Sequence, residues 1–331
     1  MLAAAACTLP LSVVACGGGD DGGGDDGGSD NGTPTGDHHQ YVVKKATVTS
    51  ANTDDLSLDF GSKTSSTPDG RVDNRIGQAL GLLSSFFDIQ GTVDKAIAQG
   101  TLILLVDVQT TDFTNNTAGA GLSVKFGATP NPPACSSATD TTCGGHLQGG
   151  ATFTIAAGSP TNAQLSGKVI NGTFNAGPGN VALQIAIGDS PIKLSLTHAR
   201  AQATGMSASG VTSLKVGGVL TQTDLNTQVG PAIKTAVDAI INTDCPAPRT
   251  APGCNCAANS TGAKVITMLD GDLTPTDKDC TVSLDEILKF PAVAAVLQPD
   301  SCSMDTCTTP DALSIGVQVV TTSASFPTGG D

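Results

Sequence analysis

The sequence is poor in the residues that proteins most often use to grip a partner. Its 331 residues include no Trp, one Tyr and nine Phe, and only 14% are charged. Basic residues are scarce: 16 Lys and Arg stand against 30 Asp and Glu, giving a formal net charge of −14. A chain this acidic offers no electrostatic footprint for the phosphate backbone of nucleic acid. It has no run of about 18 uninterrupted apolar residues, which excludes a membrane-spanning helix. Familiar catalytic fingerprints are missing too, with no G-x-S-x-G, no phosphate loop, no dinucleotide fingerprint between a strand and a helix and no His pair spaced for zinc. At 39% hydrophobic, the chain is still too apolar to be disordered throughout. Its length suits one large β-rich domain or two smaller ones.

Glycine and cysteine are present in quantity, at 40 and 10 residues. Ten of the glycines and six aspartates fall within residues 17–37, GGGDDGGGDDGGSDNGTPTGD, which hold no Lys or Arg. Such a stretch has no apolar surface to bury and reads as a solvated tether, assigned to 16–40 and spanning roughly 25–30 Å by random-coil scaling. Removing its six charges from −14 leaves −8 for the rest, a mild acidity. The charge therefore marks the tether more than the folded body.

What precedes the tether accounts for it. Met1 to Ala15 is a short uncharged run of small and apolar residues leading into Val13-Val14-Ala15-Cys16. This resembles the lipobox of bacterial lipoprotein signal peptides. The resemblance implies removal of 1–15 as a signal peptide and lipidation of Cys16 on its thiol and new amino group. Gly17, where inner-membrane retention would use Asp, implies an outer-membrane anchor, on the periplasmic or cell-surface face. The expected partner is then the membrane, reached through the lipid, with the body held just off the bilayer.

With Cys7 lost in the signal and Cys16 lipidated, eight cysteines remain: Cys135, Cys143, Cys245, Cys254, Cys256, Cys280, Cys302 and Cys307. An even number in an exported chain reads as disulfides. Spacing pairs Cys135 with Cys143 and Cys302 with Cys307 as local staples. The four between 245 and 280 then pair among themselves, in an order the spacing leaves open. A zinc site at Cys254-Asn255-Cys256 is disfavoured by its one-residue gap and by the lack of a nearby His.

Beyond the tether the apolar pattern is mostly period two, the mark of half-buried strands. Strands are predicted over Tyr41 to Thr49, Leu102 to Val108, around Leu122, Val124 and Phe126, and over 151–157 and 163–174. A hairpin is predicted from Val181–Ile187 and Ile192–Leu196, turning at Gly188-Asp189-Ser190-Pro191. Leu313, Ile315, Val317 and Val319 predict a last strand that closes the sheet. Two stretches switch to helical period. Asp73 to Phe87 sets Ile76, Leu80, Leu83 and Phe87 on one face with Asp73 as N-cap, and a shorter helix around Val93 and Ile97 stops at Gly100. Asp224 to Asn242 aligns Leu225, Val229, Ile233, Val237 and Ile240/Ile241, with Pro231 expected to kink or restart it. The expected fold is α+β and β-rich: an antiparallel sheet or sandwich over 41–243 with two amphipathic helices packed on it, a Cys-rich region over 244–311, and a closing strand and tail over 312–331.

One constellation carries recognisable chemistry. Residues 263–289 order an apolar stripe, an acidic loop and a second apolar stripe, and Asp277-Lys278-Asp279-Cys280-Thr281-Val282-Ser283-Leu284-Asp285-Glu286 resembles the EF-hand calcium loop. With Glu286 as the bidentate twelfth position, the resemblance implies oxygen ligands from Asp277, Asp279, Thr281 through its carbonyl, and Ser283. The first position falls on Pro275, so Asp272 is the substitute if the loop is longer, and the sixth-position glycine is Cys280, where a positive φ is strained. One missing carboxylate implies Ca²⁺ affinity in about the millimolar range. Two further acidic turns, Thr67 to Asn74 and Asp300 to Asp311, repeat a Thr-Pro-Asp sequence. Asp69 and Asp73 are expected there as a turn residue and a helix cap, with calcium the competing role.

Chemistry of other kinds finds little support. Ser190-Pro191-Ile192-Lys193 fits S-x-x-K only on a predicted turn, where penicillin-binding enzymes need a helix. Of the four His, His38 and His39 fall in the tether's end, and neither His146 nor His198 has a partner the sequence assigns. An enzyme is not expected. The sequence therefore favours a lipid-anchored exported protein with a binding or structural role and weak structural Ca²⁺, or alternatively a carrier of a lipid or other apolar ligand between helix and sheet.

Overall fold

Period-two alternation builds most of the molecule. The computed structural model describes residues 32–50, 52–61, 68–84, 88–135, 140, 144–161, 163–187, 190–251, 253–270, 278–304 and 307–328. The strands are β1 (Asp37–Thr47), β2 (Leu104–Thr110), β3 (Thr117–Asn131), β4 (Ala151–Ile155), β5 (Gln164–Ile170), β6 (Thr173–Ile187), β7 (Ser190–Ser207), β8 (Gly210–Thr221) and β9 (Ala312–Ser325). Successive antiparallel pairings run β1, β2, β3, β5, β6, β7, β8, β9 and back to β1. The result is a closed eight-stranded up-and-down barrel. The β-rich antiparallel class is as expected, but the open sheet or sandwich is not. Pairing of β1 with both β2 and β9 removes the free edges that either would have.

Interior positions such as Leu122, Val124, Leu165, Phe174, Leu183, Leu194 and Leu214 are almost fully buried. Lys125, Lys168, Gln184, Gln202 and Lys215 alternate with them on the outer face. An apolar interior and polar exterior reverse the arrangement of a membrane barrel, whose outer band is apolar. The interior is packed with side chains, as expected of an eight-stranded barrel. β4 stands outside the ring, pairing with the ends of β3 and β9. Its Phe153 forms a small second core with Val42, Ile103, Leu105 and Phe326.

All the helices emerge at one end. Between β1 and β2 lie α1 (Arg75–Leu83) and α2 (Ile89–Ala98). Between β8 and β9 lie α3 (Gln222–Asp224), α4 (Gly230–Asp244), α5 (Thr261–Leu269), α6 (Leu284–Lys289) and α7 (Pro291–Val296). β1 and β8 run toward the same end, so both insertions leave there. α2 packs on β1 and on β6, which stand on opposite sides of the ring, and so lies across the barrel's mouth. Val265, Ile266, Leu269, Val282 and Ile287 of the Cys-rich region belong to the same buried cluster as the barrel interior.

Several local expectations change. The predicted strand 163–174 is the end of one strand and the start of another, broken at Asn171 (φ +50°) and Gly172 (φ +75°) with Ile170 paired to Thr173. Asn-Gly with both residues at positive φ is the two-residue hairpin turn that matches strand twist. The N-cap of α1 is Asn74, not Asp73: the Asn74 side chain accepts the Gly77 amide at 3.1 Å. Residues 37–40, assigned to the tether, are strand β1, and Thr35 N already donates to Gly119 O. Pro231 restarts the long helix, following a π-helical turn over Leu225–Val229. Phe87, Gly188, Asp189, Cys16 and the N-terminal segment through residue 31 lie outside the described residues.

Disulfides join Cys245 to Cys256, Cys254 to Cys280 and Cys302 to Cys307. Cys135 is disulfide-bonded as well, and its expected partner Cys143 lies outside the described residues. These bonds fit an oxidising, exported environment. Among the described residues no helix is long and apolar enough to cross a membrane.

Candidate functional site

The helical end of the barrel leaves a groove of about 880 Å³. Its walls are Leu80 and Leu83 of α1, Ile89 and Thr92 of α2, the Ile187 and Ile192 ends of the β6–β7 hairpin, and one side of α4. Helical spacing in α4 explains that last wall. Leu225, Val229, Ile233, Val237 and Ile241 recur every four residues and are buried. The adjoining stripe of Ala232, Ala236, Ala239, Ile240 and Thr243 lines the groove. Its mostly small side chains leave room where larger ones would fill the gap against α2. Thr227 and Gln228, in the π-helical turn, line the same groove. Such turns interrupt the regular helical ladder and recur at functional sites.

The acidic loop between α5 and α6 has the predicted helix-loop-helix order. Cys280, at the sixth position of the resemblance, does take a left-handed conformation, φ +65°, and its disulfide to Cys254 and the acceptance of its amide by Asp270 Oδ2 at 3.0 Å hold it there. Asp270 also accepts the Asp279 amide at 3.3 Å. It is buried, and desolvation raises its pKa. The ligand oxygens themselves are occupied locally. Asp279 Oδ1 accepts from the amide and hydroxyl of Thr281 at 2.8 and 2.7 Å. Ser283 and Glu286 form a capping box at the start of α6, with Glu286 Oε2 accepting the Ser283 amide at 2.6 Å. Asp272 and Asp277 lie outside the described residues. Among those described, one His/Cys/Asp/Glu cluster is close enough to share an ion: Cys254, Asp270 and Cys280. Its two sulfurs are joined as a disulfide, which removes the thiolates a metal needs.

The structure brings the two other acidic turns together on the outer face of β8 and β9. Gly217 and Gly316 leave space there for Phe60 and Ser57, since a Cβ on either glycine would collide with them. Asp73 Oδ2 accepts the Phe60 amide at 2.9 Å, and Asp59 Oδ2 accepts the Gly70 amide at 2.6 Å. Asp300 accepts the Ser314 amide and hydroxyl at 2.9 and 2.6 Å and faces Arg75 Nε at 3.8 Å. Asp311 receives the amide and hydroxyl of Ser303. Burial, reinforced by Asp300, Asp59 and Asp69, pushes Asp73 up to about 7. Every one of these carboxylates is engaged by backbone or hydroxyl donors, which is the work of turns and caps.

The histidines are scattered. His146 is buried against Phe153 with Nε2 3.2 Å from Ile97 O, and desolvation lowers its pKa. His38 Nδ1 lies 2.8 Å from buried Asp107, and His39 stacks on Phe113. His198 sits at a bulge of β7 with φ +48°. None shares a site with the others.

The sequence offered a cavity between helix and sheet as its alternative reading, but not its place or lining, because the groove's walls come from separated segments and its exposed stripe is alanine-rich. Lys193 stood out only as the last residue of an S-x-x-K pattern, which the structure places on strand β7. Asp270 was hidden among neighbouring acids. No known protein family matches the chain, and no curated protein or solved structure matches it.

Proposed function

We propose that the protein is an exported, lipid-anchored carrier or receptor that binds a long-chain apolar ligand in the groove at the helical end of its barrel. One observation carries this reading: the barrel interior is filled with its own side chains, whereas the groove beside it is lined by the half-buried or exposed Ile192, Ala232, Ala236, Ala239 and Ile240 together with the buried Leu80, Leu83, Ile89 and Ile187. Its 880 Å³ falls in the range of about 300–1,000 Å³ that small-molecule sites occupy. A tether of Gly and Asp between Cys16 and the barrel holds such a site near a bilayer, from which an apolar ligand is drawn. Nile red fluorescence tests the reading. The wild-type protein binds the dye with a blue-shifted emission, and Ala236→Trp, which fills the groove, abolishes binding while leaving the thermal melt unchanged. Equal binding by wild type and variant contradicts it. For the anchor, Cys16→Ala moves the protein to the soluble fraction, and continued membrane partition contradicts a lipoprotein.

A second reading, weak structural Ca²⁺ in the loop before α6, is favoured by the left-handed Cys280 at the position where the EF-hand resemblance requires it. A melting temperature that rises in about 5 mM Ca²⁺ for wild type but not for Glu286→Ala supports it. An unchanged wild-type melt ends it.

A further inference from the structure

We infer that the groove selects an amphiphile with a single carboxylate head, and that Lys193 receives this head. The inference rests on the groove being a ligand site and adds the chemistry of the ligand's polar end. Among the described residues, three charged side chains line the groove: Asp88, Asp244 and Lys193. Both carboxylates are committed inside the protein. Asp88 is the N-cap of α2, its Oδ1 accepting the Gly91 amide at 2.9 Å. Asp244 Oδ2 accepts the Gly262 amide at 2.7 Å, in the first turn of α5. Helix starts stabilise negative charge, so neither carboxylate calls for a cation from outside.

Lys193 has no counter-charge among the described residues. The described groups at its ammonium are neutral: the Ala157 and Gly158 carbonyl oxygens, each at 3.4 Å, and the face of the Phe126 ring, 5.1 Å from its centroid. The side chain is exposed, and these contacts set where its ammonium lies. Gly158 adopts φ +75°, where a side chain is strained, and a Cβ there would lie 3.0 Å from Nζ. Ile192, Ile187 and Ile89 line the same groove, as do Ala236 and Ile240 of α4. The α4 wall, from Pro231 to Thr243, extends roughly 18 Å at the helical rise per residue. An ammonium whose described partners are neutral, in the wall of a mostly apolar groove, favours an anion, because a charge-assisted hydrogen bond is about twice as strong as a neutral one. A dianionic phosphate head would meet Asp88 and Asp244 with a single cation to offset them. A carboxylate brings one charge and one extended chain.

Oleate and oleyl alcohol, which differ only in the head, provide the test through displacement of Nile red at about 0.05 M and 0.5 M salt, on either side of physiological screening. In wild type, oleate binds roughly tenfold more tightly at low salt, and the margin shrinks at high salt. Lys193→Gln makes the two ligands equal, and Lys193→Arg retains the preference. Equal affinities in wild type, or a preference that survives in Lys193→Gln, overturn the headgroup assignment while the groove reading stands. Failure of both ligands to displace the dye overturns the groove reading and the assignment with it.

Discussion

At one end of the barrel the chain reverses within two residues, at Asn171-Gly172 and Ala208-Ser209, while at the other it leaves the ring for residues 48–103 and again for 222–311. The tight end needs nothing beyond its own turns. Asp112 collects the amides of Thr114 and Asn115, which holds its carboxyl well below the usual range, and Tyr41 reaches through the interior to donate its hydroxyl to Ser207 O. The helical end is assembled from helices too short to stand alone, and depends on caps, disulfides and packing onto the ring. Local turns finish a barrel economically but leave no room for a ligand. A cap built from separate helices leaves a seam, and the groove lies in that seam.

Substitutions divide along this line. Phe174→Ala, deep in the barrel, is expected to lower stability by about 3–5 kcal/mol in urea denaturation, whereas Ala236→Trp in the groove shifts it by less than about 1 kcal/mol. A comparable loss for both would mean that α4 and the groove are part of the tight core. Replacing Cys254 and Cys280 together by Ser, which opens a 26-residue separation, is expected to remove about 3 kcal/mol. Hydrogen exchange then rises in α4, α5 and α6 while the barrel amides stay protected; a uniform rise would show that the two regions unfold as one.

Asn74 joins the regions. Its Oδ1 accepts amides from both Gly77 in α1 and Gly316 in β9, and its Nδ2 donates to Thr53 O. Asn74→Ala strands these buried groups and is expected to lower stability by about 2–3 kcal/mol. The effects of pH have opposite signs at His146 and Asp73. Burial keeps His146 neutral in the fold, so its contribution is fully present above 6.5 and declines as pH falls below that value. Thermal melts from pH 7 to 5 therefore fall more steeply for wild type than for His146→Gln. Asp73 is raised from 3.8 to about 7, so it favours the fold at low pH and loses that contribution as pH climbs through 7. Asp73→Asn keeps an acceptor for the Phe60 amide and is expected to raise the melting temperature at pH 8 more than at pH 5.

Much of the barrel was legible in the sequence, and the reasons for the gaps are physical. Leu122, Val124 and Phe126 alternate strongly enough to announce β3, and Leu313 to Val319 to announce the strand that closes the ring. The second half of β7 escaped because Ala199, Ala201 and Ala203 face the interior with side chains too small to register as a hydrophobic stripe, whereas β8 went unread although Leu214 and Val216 alternate on its buried face. Closure itself is a long-range property: nothing near Tyr41 indicates that it pairs with both Val106 and Ser323. Local chemistry read better. Cysteine spacing found the Cys302–Cys307 staple and confined the middle four to one another, and Ser283 with Glu286 occupies the place that both a capping box and the end of a calcium loop require. The groove was least legible, because it is a gap between surfaces and not a pattern within any one of them.

Photolabelling places the ligand directly. A long-chain fatty acid carrying a diazirine near its tail, irradiated with the wild-type protein and mapped by peptide mass spectrometry, is expected to mark α4 within residues 230–244 and the neighbouring α2. Label on the interior residues of the barrel strands, or labelling unchanged in Ala236→Trp, would contradict a ligand site in the seam at the helical end.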